Sequence, residues 1–322
     1  MIKVVQLDPN GLCNAKCWFC PVAYGGNPKI GQKNMDFNVL KNIIEQLDAG
    51  RGDFVDASFK WVLNAHYNEV LLYPHFKEMI QLYKQYGLKT ILFSNGTTLN
   101  KEKIDFISKN LDVIPLITLN VPSAFPEQWS LYTGLNIKMF EKLIDNLQYA
   151  STKFKFSVQV NGVQEESFVE NGGSIKVLGK APHLNYDPIN GDVAKSINKF
   201  KELLPGAFIF SDVHLNDRSG KLEENEVLSN QEAIRLQTNA FNKKVVGCNG
   251  GEWNAMSRAE EWIHINANGD VILCCHDYDF KTTYININSK PIKDIWNGQE
   301  RQEMVQKSYS GFCKSCKYAV WE

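Results

Sequence analysis

The eight cysteines of this 322-residue chain fall into two groups, and that grouping constrains the fold more than any other feature. Cys13, Cys17 and Cys20 sit near the start, Cys248, Cys274, Cys275, Cys313 and Cys316 near the end, and residues 21–247 hold none. Disulfides suit small secreted scaffolds, whereas grouped cysteines in a long chain point to metal. The rest of the composition is unexceptional: 43% hydrophobic, with 35 basic and 36 acidic residues and a formal charge of −1. Such a chain can build a full core, and it has no global charge to draw it to nucleic acid or membrane. No apolar run approaches the roughly 20 residues that cross a bilayer. The N-terminal residues lack the basic-then-apolar form of a signal peptide. A cytoplasmic protein is expected, with neither nucleic acid nor membrane as partner.

Extended apolar runs alternate with amphipathic stretches up to about residue 215. The strand candidates are Lys3–Leu7, Phe59–Leu63, Lys89–Phe93, Leu116–Val121, Phe154–Val160 and Ala207–Val213. Helical periodicity places Leu40, Ile43, Ile44 and Leu47 on one face, with Asp36 as N-cap. The same spacing recurs at Phe76, Met79, Ile80 and Tyr83, ending at Gly87, and at Phe140, Leu143, Ile144 and Leu147. A further helix near Val193–Leu204 ends before Pro205-Gly206. Alternation of this kind implies parallel strands joined by right-handed crossovers. The expected fold is therefore α/β, a partial (β/α)6 barrel over residues 1–220. An irregular excursion is expected at 161–192, a bridging helical segment at 221–247 and a small α+β domain at 248–322.

Cys13-Asn-Ala-Lys-Cys17-Trp-Phe-Cys20 follows the first strand. Three thiolates can hold three irons of a [4Fe–4S] cube and leave the fourth open to a ligand. Structural zinc needs a fourth partner nearby, and the first histidine after Cys20 is His66. This Cys-x3-Cys-x2-Cys loop resembles the signature of the radical S-adenosylmethionine (SAM) enzymes. The resemblance implies that the open iron chelates the amino and carboxylate groups of SAM, and that reductive cleavage yields a 5′-deoxyadenosyl radical. It also implies SAM contacts. Phe19 matches the position of an aromatic near the adenine. Glu69, in Tyr67-Asn68-Glu69-Val70, matches the acidic residue of the family's Gly-Gly-Glu-Pro segment, although both glycines and the proline are replaced. Ser94 and Asn95, in Phe93-Ser94-Asn95-Gly96, resemble Thr-Asn-Gly. Asn120 ends strand four, and Arg218 follows strand six, where relatives grip the SAM carboxylate. All these positions fall at C-terminal ends of strands, where barrel enzymes build their sites.

In the second group, two extended runs flank Asn268-Gly269, a hairpin signal, and lead into Cys274-Cys275-His276-Asp277. Cys248 and the Cys313-Lys-Ser-Cys316 pair can complete a four-thiolate site, with zinc in a ribbon-like module as the competing occupant. The arrangement resembles the SPASM auxiliary-cluster domain in its shortened twitch form, through Gly269-x4-Cys274 and the helix around Asp294-Ile295-Trp296. The resemblance implies one auxiliary [4Fe–4S] cluster on Cys248, Cys274, Cys313 and Cys316. Cys275 is left as a packed core thiol or a hydrogen donor to a substrate radical, and its ligation in place of Cys274 stays open. His264 and His276 are candidates for alternative ligands, with a core or surface role as the other reading.

The cofactors implied are SAM and two [4Fe–4S] clusters, served by a flavodoxin- or ferredoxin-type electron donor. In relatives a fully ligated auxiliary cluster accepts or relays electrons, which implies oxidation; the single-cluster twitch enzymes include sugar epimerases as well as aminocyclitol dehydrogenases. Because the chain opens directly on strand one, a small polar carbohydrate or cyclitol is the expected substrate, with a ribosomally made peptide as the alternative. His66, Tyr67 and Gln159 are candidate proton acceptors at the barrel mouth. A non-catalytic electron-transfer protein and a zinc-binding interaction module are the readings from other classes.

Overall fold

A computed structural model describes residues 1–24, 33–161, 175–177, 193–212, 228–230, 243–250, 255–316 and 318–322. The chain divides into two compact units. One comprises Met1–Leu12, Asn27–Thr90 and Glu232–Glu322, and the other Cys13–Gly26 and Ile91–Gln231.

In the first unit, β1 (Val4–Leu7) is buried along its whole length, so both its edges and both its faces need partners. One edge pairs in parallel with β2 (Trp61–Leu63). The other pairs in parallel with a strand from the far end of the chain, Trp262–Ile265, in the register Val4↔Trp262 to Leu7↔Ile265. That distant strand opens an antiparallel meander with Asp270–Ile272 and Thr283–Asn286. The C-terminal residues expected as a module apart thus share a five-stranded sheet with the first strand of the chain. A second, two-stranded pairing joins Val245–Cys248 to Ala319–Trp321.

Helix α1 (Phe37–Ala49) starts where Asp36 accepts the Asn38 N–H at 2.7 Å. It buries Leu40, Ile43, Ile44 and Leu47 completely, each burial being worth about 1.5–3 kcal/mol. Helix α2 (Phe76–Gln85) buries Phe76, Met79, Ile80, Leu82 and Tyr83, and Gly87 follows it at φ 64°. The final cysteines are preceded by Ile292–Asn297 and Gln299–Ser310, two short helices in succession.

In the second unit the remaining parallel strands are β3 (Ile91–Ser94), β4 (Leu116–Asn120) and β5 (Ser157–Asn161). They pair in chain order, and β5 then pairs in parallel with Phe208–Asp212. Between them run α3 (Lys101–Ser108), α4 (Pro126–Thr133), α5 (Met139–Ser151) and α6 (Val193–Leu203). Completing the strand numbering, β6 is Ile175–Val177, β7 Phe208–Asp212, β8 Leu228–Asn230, β9 Val245–Cys248, β10 Trp262–Ile265, β11 Asp270–Ile272, β12 Thr283–Asn286 and β13 Ala319–Trp321. Strands β6 and β8 pair antiparallel. The described parts of 221–247 are therefore extended rather than helical, because Leu228–Asn230 and Val245–Cys248 each satisfy their backbone in a ladder. Most of the 161–192 excursion lies outside the described residues.

Candidate metal and cofactor centres

The first cysteine loop is anchored by its backbone. Lys16 N–H donates to Thr133 O at 2.8 Å and Trp18 N–H to Tyr132 O at 3.1 Å, hooking the loop onto the end of α4. Trp18 is fully buried and packs against Tyr132, ring centroids 6.0 Å apart. The alternate residues are turned outward: Cys13 is exposed, and Cys17, Phe19 and Cys20 are half-buried. Cys20 N–H closes a turn on Cys17 O at 2.9 Å before the 3-10 turn Pro21–Tyr24. Three accessible thiols on a fixed backbone are a donor set that suits a cluster with one open iron.

A polar knot ties this loop to the end of β3. Asn95 Nδ2 donates to Asn14 Oδ1 at 2.9 Å, and Asn14 Nδ2 donates to Thr97 Oγ1 at 2.9 Å. Ser94 Oγ accepts the Gly96 N–H at 2.9 Å. Gly96 itself sits at φ 74°, and a Cβ there would come within 2.9 Å of Leu143. Asn120, at the end of β4, donates weakly to Gln159 at 3.5 Å, while its Oδ1 is buried with no partner among the described residues. Arg218 lies outside the described residues.

Glu69 belongs to the other unit. It is 2% exposed, and its carboxylate accepts the Leu71 N–H at 3.1 Å, capping the 3-10 turn Val70–Leu72. Its backbone is held by Leu12 O at 2.7 Å and by Asn10 Nδ2. Asn68 explains how this loop dispenses with glycine. Its amide bonds Asn10 Oδ1 at 2.7 Å and Asn64 O at 3.0 Å, and its Oδ1 accepts the His66 N–H.

The C-terminal cysteines converge. Pairing of β9 with β13 sets Ala319 opposite Cys248, and Asn249 N–H bonds Tyr318 O, which places Cys248 beside the Cys313–Cys316 turn. Burial, then the neighbouring Cys316 and Cys248, pushes the Cys313 thiol up to about 12. Burial and Cys248 likewise raise Cys316. Uncompensated, such a nest of thiols resists ionisation, so it suits a cationic metal core. Three of these sulfurs share one geometry. Cys248 accepts Gly250 N–H and Cys274 accepts His276 N–H, both at 3.4 Å, and Cys316 accepts Tyr318 N–H. Hydrogen bonds to sulfur are a recognised means of tuning iron–sulfur clusters. Cys275 lacks this bond, because the N–H of its second neighbour Asp277 donates to Cys274 O at 3.1 Å; its thiol is lowered by the adjacent Cys274 and by Arg258, against the effect of burial. Arg258, 6% exposed, bonds His276 and lies over the Tyr318 ring at 5.0 Å.

One group of buried polar residues was only partly legible. Asp8, directly after β1, accepts from His264 Nε2 at 2.7 Å, and His66 Nδ1 stands 3.6 Å from the same oxygen. The sequence marked both histidines without linking them to Asp8. The signal that was available, an acidic residue ending a barrel strand, is weak by itself.

Two family descriptions match this chain. That of the radical SAM superfamily covers residues 9–170, and that of the iron–sulfur cluster-binding SPASM domain covers residues 257–317. The first spans half of the chain, and the protein belongs to the radical SAM superfamily, with a C-terminal SPASM domain. The family's cofactors are SAM and a [4Fe–4S] cluster, and the SPASM domain brings auxiliary iron–sulfur binding. Solved structures agree in fold. BtrN, solved with AdoMet and 2-DOIA, aligns over 99% of this chain and 93% of its own, at 15% identity and TM-score 0.55. SuiB of Streptococcus suis, bound to SAM, aligns over 98% and 72%, at 14% identity and TM-score 0.56. The anSMEcpe protein with bound AdoMet aligns over 98% and 86%, at 15% identity and TM-score 0.56. No curated relative matches in sequence. Among the described residues, no helix is long and apolar enough to cross a membrane.

Proposed function

We propose that this radical SAM enzyme oxidises a small polar substrate of carbohydrate or cyclitol type, passing one electron per turnover to a single auxiliary cluster. The observation that carries this reading is the C-terminal thiol nest. Cys248, Cys274, Cys313 and Cys316 supply four protein ligands, which leaves no iron open to substrate and makes electron transfer the remaining task. The repeated N–H···S geometry favours Cys274 over Cys275 as the fourth ligand.

When bound, SAM and the first cluster supply the 5′-deoxyadenosyl radical. This chain's residues do the rest. Cys13, Cys17 and Cys20 would hold three irons, and Phe19 would flank the adenine. Glu69, buried at the head of the Val70–Leu72 turn, would pair with the SAM ammonium, and Ser94, Asn95, Asn120 and Arg218 would take its ribose and carboxylate. Hydrogen abstraction leaves a substrate radical, and loss of one proton and one electron gives the oxidised product, so atoms and electrons balance. A flavodoxin- or ferredoxin-type donor in the cytoplasm would supply the initiating electron.

Two readings compete over substrate and outcome. BtrN was solved with the small molecule 2-DOIA, and this chain spans 93% of it; SuiB was also solved with its precursor peptide SuiA. Cys275, standing outside the shared N–H···S pattern, supports epimerisation, in which its thiol would return a hydrogen atom to the substrate radical and the thiyl left behind would be restored by one electron from the flavodoxin- or ferredoxin-type donor and one solvent proton. One experiment separates these. Deuterated cyclitols, sugars and peptides are each offered in turn, and 5′-deoxyadenosine is examined for deuterium. Label from a cyclitol or sugar, with a product two mass units lighter than an unlabelled substrate, supports dehydrogenation. Label from a peptide alone sinks the small-molecule reading. A product of unlabelled substrate that keeps its mass in ordinary water and gains one deuterium in deuterium oxide, and is lost in Cys275→Ala, supports epimerisation instead.

A further inference from the structure

Asp8, His66 and His264 come from three distant parts of the chain: the residue after β1, the loop after β2, and the third residue of β10. Their ligand atoms lie within 4.8 Å of one another. Their side chains are 0%, 2% and 2% exposed. Asp8 Oδ1 is held by Gln6 Nε2 at 2.9 Å, so Oδ2 is the oxygen turned to both histidines. The His66 ring is fixed by Tyr67, Tyr278 and His264, at centroid separations of 4.2, 4.5 and 4.7 Å.

A second observation points to a ligand. Both ring nitrogens of His66, Nδ1 of His264 and the hydroxyl of Tyr67 are buried with no hydrogen-bond partner among the described residues. Each orphaned group of that kind costs about 1–3 kcal/mol, and buried polar atoms rarely go unpaired. The 3.6 Å separation of His66 Nδ1 from Asp8 Oδ2 is too long for a hydrogen bond. It is close to the about 3.0–3.4 Å between donors that share one ion at about 2.0–2.1 Å. Two imidazoles and one carboxylate are a donor set for borderline transition ions rather than for magnesium or calcium, which prefer oxygen.

We propose that Asp8, His66 and His264 form a mononuclear site for a divalent transition ion of the zinc type, distinct from both cysteine groups. Gln6 orients the carboxylate from outside the ligand shell, as outer partners do in metal sites. The ion would fasten the ends of β1 and β10 to the loop after β2. The competing arrangement is a plain Asp8–His264 ion pair with His66 packed beside it, which binds no metal.

The test uses the full chain, reconstituted anaerobically with its clusters, exposed to zinc chloride alone and freed of excess by gel filtration. The proposal expects one zinc per chain in addition to the iron. Zinc-edge absorption should give nitrogen or oxygen neighbours at about 2.0–2.1 Å and no sulfur at about 2.3 Å. His66→Ala should weaken zinc binding at least tenfold with iron content and circular dichroism unchanged; His66→Gln serves if the alanine variant does not fold. No zinc uptake, sulfur neighbours, or undiminished binding in the His66 variant would each overturn it.

Discussion

Asn14, Asn95 and Thr97 hold one another by hydrogen bonds of 2.6–3.0 Å, so the loop carrying the first cysteines is set by side chains as well as backbone. The motif Ser94-Asn95-Gly96 was legible, but its tie to Asn14 was not, because such a bond leaves no periodic trace. Glu69 has the opposite history: its identity was read through a loop whose glycines are gone, and Asn68 supplies the reason the loop still forms. Glu69→Gln keeps an acceptor for the Leu71 N–H and removes the charge. We expect the far-UV spectrum to be unchanged and SAM binding, by calorimetry, to weaken by about 1.5–3 kcal/mol, the range of a charge-assisted hydrogen bond. The paired cysteines make a second residue-scale prediction. Cys274→Ser should halve the iron content to about four per chain, whereas Cys275→Ser should leave about eight. Equal loss in both variants would mean that the N–H···S pattern does not mark the ligand.

Helices with a strong apolar face were read almost to the residue, α1 from Leu40, Ile43, Ile44 and Leu47 being the clearest. Two were not. Helix α3 buries Ile104 and Ile107 alone among its core-facing positions, and α4 announces itself only by Pro126 at its start and Gly134, at φ 66°, at its end. End signals without a long apolar stripe are easily taken for loop. Leu47→Ala, at a site with no exposure, should cost about 2–5 kcal/mol in urea unfolding. Gly96→Ala should cost more than about 1 kcal/mol, since φ 74° strains any side chain and Leu143 already occupies the space. A variant as stable as the parent would mean that the turn relaxes. The Asn268-Gly269 hairpin was fully legible: Gly269 takes φ 83° and Asn266 Oδ1 accepts from Asn268 and Asp270.

At the scale of the molecule, strands are legible where they occur and not in what they pair with. The parallel order β3, β4, β5, β7 follows from alternation, since neighbours in sequence become neighbours in the sheet. The pairing of β1 with β10 does not, because its partners are more than 250 residues apart and each reads merely as an apolar strand. That pairing brings His264 to Asp8, which is why the link between Asp8 and the two histidines could not be read before the fold was known. The cysteines escaped this limit: three close together and five more near the other end imply two centres whatever the connectivity.

The most direct test of the central claim is reductive SAM cleavage by the reconstituted chain, beside its Cys13/Cys17/Cys20→Ala variant. 5′-Deoxyadenosine is expected from the parent alone, with iron falling from about eight to about four per chain in the variant. A parent that holds its iron and never cleaves SAM, or a variant that cleaves it equally well, would contradict that claim.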